Sequence, residues 1–517
     1  MSIYQYIDLN AQRYEEEEAI VYIDKSNMRL SLSWGELKFF SNVVANILVA
    51  KEIRKGDKVA ILLQNLLFWL PIYFGILRIG AVVVPLNYRN STEETADCIK
   101  FAECRGLFLA KTNNYDEYYK NMLSDCFVLQ VSDDLEYWKV LASTYGSDNI
   151  QMDLLDNEVA ALYFSSGTTG KSKAVLLSHG ALQASAEIEL NHHRQRHSDR
   201  FLCVTPLYHT GSKIHWFGSL LVAGTIVIFE PCAPLNILKV VESEKISIAW
   251  FLVPQIQDIL DALVAQEINI DDINFSSLRL MHSGAQHVPR SLIQQWHDIF
   301  PHIMYDTNYG LTEACGPGCI HLGMENIDKA GSVGKPDLRW LVEIVDEYGV
   351  MKEKGQIGEL IVKGPGVMIE YYKDKKSTES VLKNGWLYTG DMAYMDEDGF
   401  IYIVDRKKDI IICGGENIYP VQIENHLRLL DVIKDVAVIG LPNKRLGEII
   451  VAVIELKEGC TCTKKIVHTH CGSLPEYQRP LKIYFFPIRR NATGKVEKKD
   501  IRNALIESTN LRVDCSV

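Results

Sequence analysis

Lys58-Val59-Ala60-Ile61-Leu62-Leu63 and Ala81-Val82-Val83-Val84 flank a stretch in which Phe68, Ile72, Ile76 and Leu77 recur at i, i+4, i+8 and i+9. The short continuous apolar runs read as strands buried on both faces, and the recurrence between them reads as a helix. Strand, helix and strand in succession predict a parallel sheet packed by helices. The apolar stretch 66–86 is also the longest in the chain, but Pro71, Gly75, Arg78 and Gly80 interrupt it. A membrane span needs ~20 apolar residues with few or no charges, so a buried helix followed by a strand is expected.

Outward from this unit, strand-like and helix-like segments alternate through the first 400 or so of the 517 residues. At 517 residues, against ~150 for a typical domain, two to four domains are expected. From Gly358 the pattern shifts to short strands, 359–362 and 399–404, the second following the turn Asp396-Glu397-Asp398-Gly399. This predicts a small β-barrel-like unit. The charged run Asp405-Arg406-Lys407-Lys408-Asp409 comes next, followed by mixed strand and helix. The expected fold is therefore α/β. Residues 1–405 form a large N-terminal domain of stacked α/β subdomains plus the β-rich unit, and residues 406–517 a small α+β C-terminal domain.

With 47% hydrophobic and 23% charged residues, the composition is that of an ordinary globular protein, which excludes disorder, collagen and a disulfide-stapled miniprotein. The net charge of −12 argues against non-specific binding to nucleic acid or to an anionic membrane. The glutamate-rich N-terminus lacks a signal-peptide core, so no targeting segment and no stable membrane anchor are expected. Twelve scattered cysteines read as reduced thiols of a cytoplasmic protein. Cys460, Cys462, His468, His470 and Cys471 cluster, but C-x-C is not the spacing of a zinc site, and an amphipathic helix carrying Ile466 is expected there.

The densest chemical signal is Tyr163-Phe164-Ser165-Ser166-Gly167-Thr168-Thr169-Gly170-Lys171-Ser172-Lys173. A strand runs into small, hydroxyl-bearing and glycine residues and then into lysines, so N–H, hydroxyl and ammonium donors converge for a polyphosphate. Only two residues separate Gly167 from Gly170, so this is not a Walker A loop. A polar surface turn is the competing reading, at about even weight on these residues alone.

The loop resembles the phosphate loop of the adenylate-forming acyl-CoA synthetase superfamily, which includes aryl-CoA ligases and luciferases. Ser172 and Ala174 depart from the proline and the final glycine of that pattern. Further matches follow in order: Pro206-Leu207-Tyr208-His209, Tyr309-Gly310-Leu311-Thr312-Glu313, Gly331 to Pro336 and Gly385 to Asp391. Arg406 to Asp409, Gly414-Gly415-Glu416-Asn417 and Ala492-Thr493-Gly494-Lys495 complete the set. The resemblance covers essentially the whole chain.

That resemblance implies ATP- and Mg²⁺-dependent activation of a small-molecule carboxylic acid to an acyl-AMP, then thioester formation with coenzyme A. It makes Ser165, Ser166, Gly167, Thr168, Thr169, Gly170 and Lys173 the phosphate loop. Glu313 and Thr168 would hold the metal, and Thr312 would bind phosphate. Asn308, Tyr309 and Gly310 would face the adenine opposite Gly284, Ala285 and Gln286. Asp391 would accept the ribose hydroxyls and Arg406 donate to the same sugar. Lys495 is the implied catalytic residue, bridging the acyl carboxylate and the α-phosphate, with Arg489 standing where proline is usual. Lys408 would be the hinge of a mobile C-terminal domain. Gly414, Gly415 and Glu416, and more weakly Arg479 and Lys482, would meet CoA.

The acyl pocket is implied around His209, Lys213, Trp216, Phe217, Ser283 and Gly284, with His215 and His287 nearby. The aromatic residues favour a fatty or aromatic acid; carnitine-like, bile or dicarboxylic acids are the alternatives. The segment Tyr208-His209-Thr210-Gly211 has no aspartate for an α-amine, and no carrier domain is expected after Lys495. A stand-alone ligase is thus favoured over a peptide-synthetase module, with an acyl-adenylating enzyme that loads a carrier protein, a luciferase-like oxygenase and a non-catalytic binder as alternatives. A nicotinamide oxidoreductase is excluded because Gly316-Pro317-Gly318-Cys319-Ile320-His321 lacks the third glycine of G-x-G-x-x-G. Oligomeric state is left open.

Overall fold

A computed structural model describes residues 2–111, 118–119, 123, 126–165, 173–230, 233–284, 288–490 and 496–513. The stretch that opened the sequence reading folds as strand Lys58–Leu62, helix Trp69–Arg78 and strand Val82–Pro85, and the two strands pair in parallel from Lys58 opposite Val82. Every residue of the helix is buried, which explains its lack of a polar face. Its one charge is neutralised in place. The Arg78 guanidinium grips Asp8 with both Nη atoms, at 2.6 and 3.1 Å, and Nε donates to Ser41 Oγ at 2.9 Å. A bidentate pair of this kind is how a buried guanidinium is tolerated.

The chain divides into two compact units, residues 1–342 with 362–387 and residues 343–361 with 388–517. The first unit carries two seven-stranded sheets. One is ordered Glu370–Tyr371, Lys173–Ser178, Val159–Ser165, Val82–Pro85, Lys58–Leu62, Cys104–Ala110 and Phe127–Val131. The other is ordered Met304–Asp306, Leu280–Ser283, Ile248–Phe251, Arg200–Cys203, Thr225–Phe229, Glu18–Ile23 and Arg29–Ser33. Both are mainly parallel, as the apolar runs predict, with antiparallel strands at an edge. A short antiparallel sheet, Asn308–Leu311 with Gly316–His321 and Lys335–Pro336, follows the last parallel strand directly.

The β-rich reading after residue 358 is matched by strands Gly358–Lys363, Trp386–Met395 and Ile401–Arg406 in a five-stranded sheet. Its turn is made as expected: Gly399 takes φ +87°, and Phe400 N donates to Asp396 Oδ1 at 2.8 Å. In the same unit, Gly447–Leu456 is the centre of a second five-stranded sheet, flanked by Ile433–Asn443 and Lys482–Phe485. The helix expected near residue 466 is Lys464–His470, but Val467 faces the core while Ile466 is exposed. His426 and His470 stack at 4.3 Å, and each ring Nε2 lies against the other's carbonyl, at 3.0 and 2.8 Å. Among the described residues, no helix is long and apolar enough to cross a membrane.

Candidate active site

The phosphate-loop residues Ser166, Gly167, Thr168, Thr169 and Gly170 lie outside the described residues, as do Ala285, Gln286, His287 and Lys495. The side chain of His215 is likewise not described. The residues that frame the loop are described. Ser165 and Lys173 end adjacent antiparallel strands as direct partners. Ser165 Oγ lies 3.4 Å from the Lys173 carbonyl oxygen, and Lys173 Nζ sits 4.4 Å above the Tyr371 ring.

A connected polar corner runs from that ring. The Tyr371 hydroxyl donates to Glu313 Oε1 at 2.7 Å, and Met368 N donates to the Glu313 carbonyl at 2.7 Å. Burial, then the Glu313 charge, hold the Tyr371 phenol well above its ordinary pKa, so it stays a neutral donor. Next to Glu313, Thr312 Oγ1 lies 3.3 Å from Thr210 Oγ1 at the start of helix Thr210–Leu221. His209 caps that helix, its Nδ1 accepting from Gly211 N at 3.1 Å. The structure thus sets Lys173 and Glu313 against one residue the sequence reading missed, Tyr371, with Thr312 adjoining Glu313 in the chain and Thr210 beside Thr312. No pattern in the sequence marks this tyrosine, because its strand pairs with a segment nearly 200 residues earlier.

The implied adenine walls also meet. A Cβ on Gly284 would sit 3.3 Å from Asn308 Oδ1, so this position is close-packed against the Asn308–Leu311 strand. Tyr309 pairs with Ile320, and Cys319 Sγ lies 3.4 Å from its carbonyl oxygen.

The implied acyl residues are enclosed. Trp216 packs edge-on against Trp69, Tyr73, Phe74 and Phe217, and Trp216, Phe217, Lys213 and Ser283 are all fully buried. Lys213 Nζ donates to the Cys315 carbonyl at 3.1 Å and sits 3.2 Å from its sulfur, below the Tyr163 ring. Burial lowers its pKa.

In the second unit, Asp391 and Arg406 face each other across paired strands, with Arg406 Nε 2.9 Å from Asp391 Oδ1. Glu359 sits below, accepting from Gly390 N at 3.2 Å and pairing with Lys407 Nζ at 2.7 Å. Lys408 lies in the one-turn helix Lys407–Asp409. Gly414 and Gly415, at φ +62° and +91°, form a two-residue hairpin turn between Cys413 and Glu416, and two positive φ values in a row explain the glycines. Arg479 spends its guanidinium on the carbonyls of Leu474 and Gly472, at 2.8 and 2.7 Å, while Lys482 is exposed on its strand. Lys498 is buried against Glu424 Oε1 at 2.8 Å, close enough to Asp405 to interact with it. Burial pushes the Asp405 carboxyl up to about 6.

The chain belongs to the AMP-binding enzyme family: the family model matches residues 7–372, and that of the AMP-binding enzyme C-terminal domain matches residues 422–495. A putative acyl–CoA ligase, YdaB of Bacillus subtilis, is 32% identical over 90% of this chain and 93% of its own. An indoleacetate–CoA ligase of Aromatoleum aromaticum is 30% identical over 98% and 99%. The solved o-succinylbenzoate coenzyme A synthetase of Bacillus subtilis, in complex with ATP and magnesium ion, superposes with a TM-score of 0.83 at 26% identity, covering 96% of this chain and 98% of that one.

Proposed function

We propose that the chain is an AMP-forming acid:CoA ligase. It joins a carboxylic acid to the α-phosphate of ATP, releasing pyrophosphate, and then passes the acyl group to the thiol of coenzyme A, releasing AMP. The observation that carries this reading is the single corner of Lys173, Thr210, Thr312, Glu313 and Tyr371 beside the strands that frame the phosphate loop. It offers two hydroxyls, an ammonium and a carboxylate where a polyphosphate and its cation would meet.

Magnesium fits Glu313, because a hard dication takes oxygen ligands and the carboxylate's phenol partner contributes no positive charge. Thr168 is the proposed second holder. Bound with the nucleotide, the ion neutralises phosphate charge. The acid is already ionised at neutral pH, so no general base is needed. Lys495 brings an ammonium to both the carboxylate and the α-phosphate, where charge develops. Tyr309 stacks on the adenine, while Asp391 accepts from the ribose hydroxyls and Arg406 donates to them. Residues 406–517 are the proposed mobile domain, with Lys408 as pivot. The tight Gly414-Gly415 turn lets the pantetheine arm pass close to backbone, beside Glu416.

A fatty or aromatic acid is the proposed substrate, supported by the acid named for the indoleacetate-activating relative. A dicarboxylic acid would need a cation for its second carboxylate, and Lys213 already donates to Cys315. A cytoplasmic setting fits the cysteines, which are free thiols throughout the described residues. The test is pyrophosphate release across fatty, aromatic, bile, carnitine-like and dicarboxylic acids, with and without CoA. A fatty or aromatic acid should give CoA-dependent turnover. Turnover that needs a carrier protein instead of CoA would replace this reading with the carrier-loading one.

A further inference from the structure

Away from the polar corner, helix His179–His193 and strands Leu280–Ser283, Met304–Asp306 and Gly316–His321 bring Glu189, His193, His282, Asp306 and His321 together in the core. All five are buried, at 2% exposure or less. The ligand atoms of Glu189, His193 and His282 lie within 4.8 Å of one another, as do those of His192, Asp306 and His321. His193 joins the two groups: its Nε2 is 3.0 Å from His282 Nδ1 and 3.2 Å from Asp306 Oδ2. His321 Nδ1 lies 3.6 Å from that same oxygen.

We propose that this cluster is a binding site for one divalent transition-metal ion of the zinc class, separate from the magnesium of the nucleotide. Bonds of about 2.0–2.1 Å in a tetrahedral site put neighbouring ligand atoms about 3.4 Å apart, and three neighbouring pairs, His193–His282, His193–Asp306 and Asp306–His321, lie near that spacing at 3.0, 3.2 and 3.6 Å. The surroundings also have the form of a metal site. His193 turns Nδ1 to Glu189 Oε1 at 2.7 Å, the outer carboxylate that orients a metal-bound imidazole. Asp306 Oδ1 is fixed by Thr307 N at 2.8 Å and Gly323 N at 3.0 Å, which leaves Oδ2 turned to the histidines. Asp306 Oδ2 meets the imidazoles of His193 and His321, and His321 Nε2 has no hydrogen-bond partner among the described residues.

A proton on His193 pairs its ring with Glu189 and Asp306, at 2.7 and 3.2 Å, so proton and metal ion compete for this cluster. His193 and His282 nitrogens are 3.0 Å apart, and His192 and His321 rings stack at 3.8 Å, so a proton on one imidazole opposes a proton on its neighbour. A dication held at His193 Nε2 and Asp306 Oδ2 leaves the imidazoles neutral, the state in which they ligate. Mixed imidazole and carboxylate donors suit zinc or a similar first-row ion better than magnesium.

The test uses the whole chain, stripped with a chelator and dialysed against micromolar Zn²⁺ in excess Mg²⁺. About one zinc per chain should be retained, Co²⁺ should give visible absorption that Zn²⁺ abolishes, and Zn²⁺ but not Mg²⁺ should raise the melting temperature. His282→Gln should weaken binding about 100-fold or more and Glu189→Gln about 10–100-fold. Cys460→Ser with Cys462→Ser should leave it unchanged. The wild-type readouts do not depend on any variant folding. No retained zinc and no cobalt absorption would overturn the proposal, as would zinc lost from the double cysteine variant. None of these readouts involves catalysis, so the result stands apart from the proposed ligase activity.

Discussion

Glu313 and Asp391 are both partly or wholly buried carboxylates in this family's motifs, yet they have opposite kinds of partner. Glu313 receives a hydrogen bond from the neutral phenol of Tyr371, which orients it without cancelling its charge. Asp391 faces the Arg406 guanidinium at 2.9 Å, so the pair is close to neutral while still offering acceptors on one side and donors on the other. The first arrangement suits a cation, and the second suits an uncharged polyol such as a ribose. The partner, more than the acid itself, sets what each carboxylate can bind.

The sharpest way to break this comparison is to alter charge where charge is proposed to act. Lys495→Ala should cost on the order of 3–4 kcal/mol, ~10²–10³-fold, in pyrophosphate exchange, the scale of one strong electrostatic donor. Thioester formation from pre-made acyl-AMP should survive. Equal losses in both half-reactions would make the lysine structural. Glu313→Gln keeps the acceptor for Tyr371 but removes the charge. It should lose ~10²-fold in adenylation and demand more Mg²⁺, and an unchanged Mg²⁺ dependence would remove Glu313 from the cation.

Smaller effects sharpen the other side. Asp391→Asn retains one acceptor, so ~10-fold weaker ATP binding is expected, about 1–2 kcal/mol. The loss should shrink when 2′,3′-dideoxy-ATP is compared, since the removed hydroxyls no longer report on residue 391. Tyr371→Phe should cost only a few-fold, because a single neutral hydrogen bond contributes ~1 kcal/mol.

The second unit provides a pH test. Asp405 has a folded pKa of about 6 against 3.8 when exposed, a raised carboxyl. Between these values the folded chain holds a proton that the unfolded chain has released, so stability falls as pH rises from about 4 to 6 and levels off above. The shift amounts to at most about 3 kcal/mol. Asp405→Asn should flatten that part of the melting-temperature curve relative to wild type, and parallel curves would mean that Asp405 does not titrate there.

What the sequence made legible follows from locality. The strand–helix–strand unit around 58–85 could be read because burial on both faces leaves an unbroken apolar run, and the strand entering the phosphate loop because its apolar residues are contiguous. Contacts between distant segments were not legible. Nothing in the sequence marks Lys498, yet it is buried against Glu424. Trp216 and Phe217 read as pocket wall, and they pack into an aromatic cluster with the helix Trp69–Arg78. Tyr371 carried no signal at all. The buried histidine cluster had one faint sign, Glu189 four residues before His193 on a single helical face.

The central claim, that this chain breaks ATP between the α- and β-phosphates to activate an acid, is tested most directly by ³¹P NMR of a turnover mixture. ATP, Mg²⁺, CoA and an accepted acid should yield AMP and pyrophosphate in equal amounts, matched by the thioester formed. ADP and inorganic phosphate as the products would contradict the account.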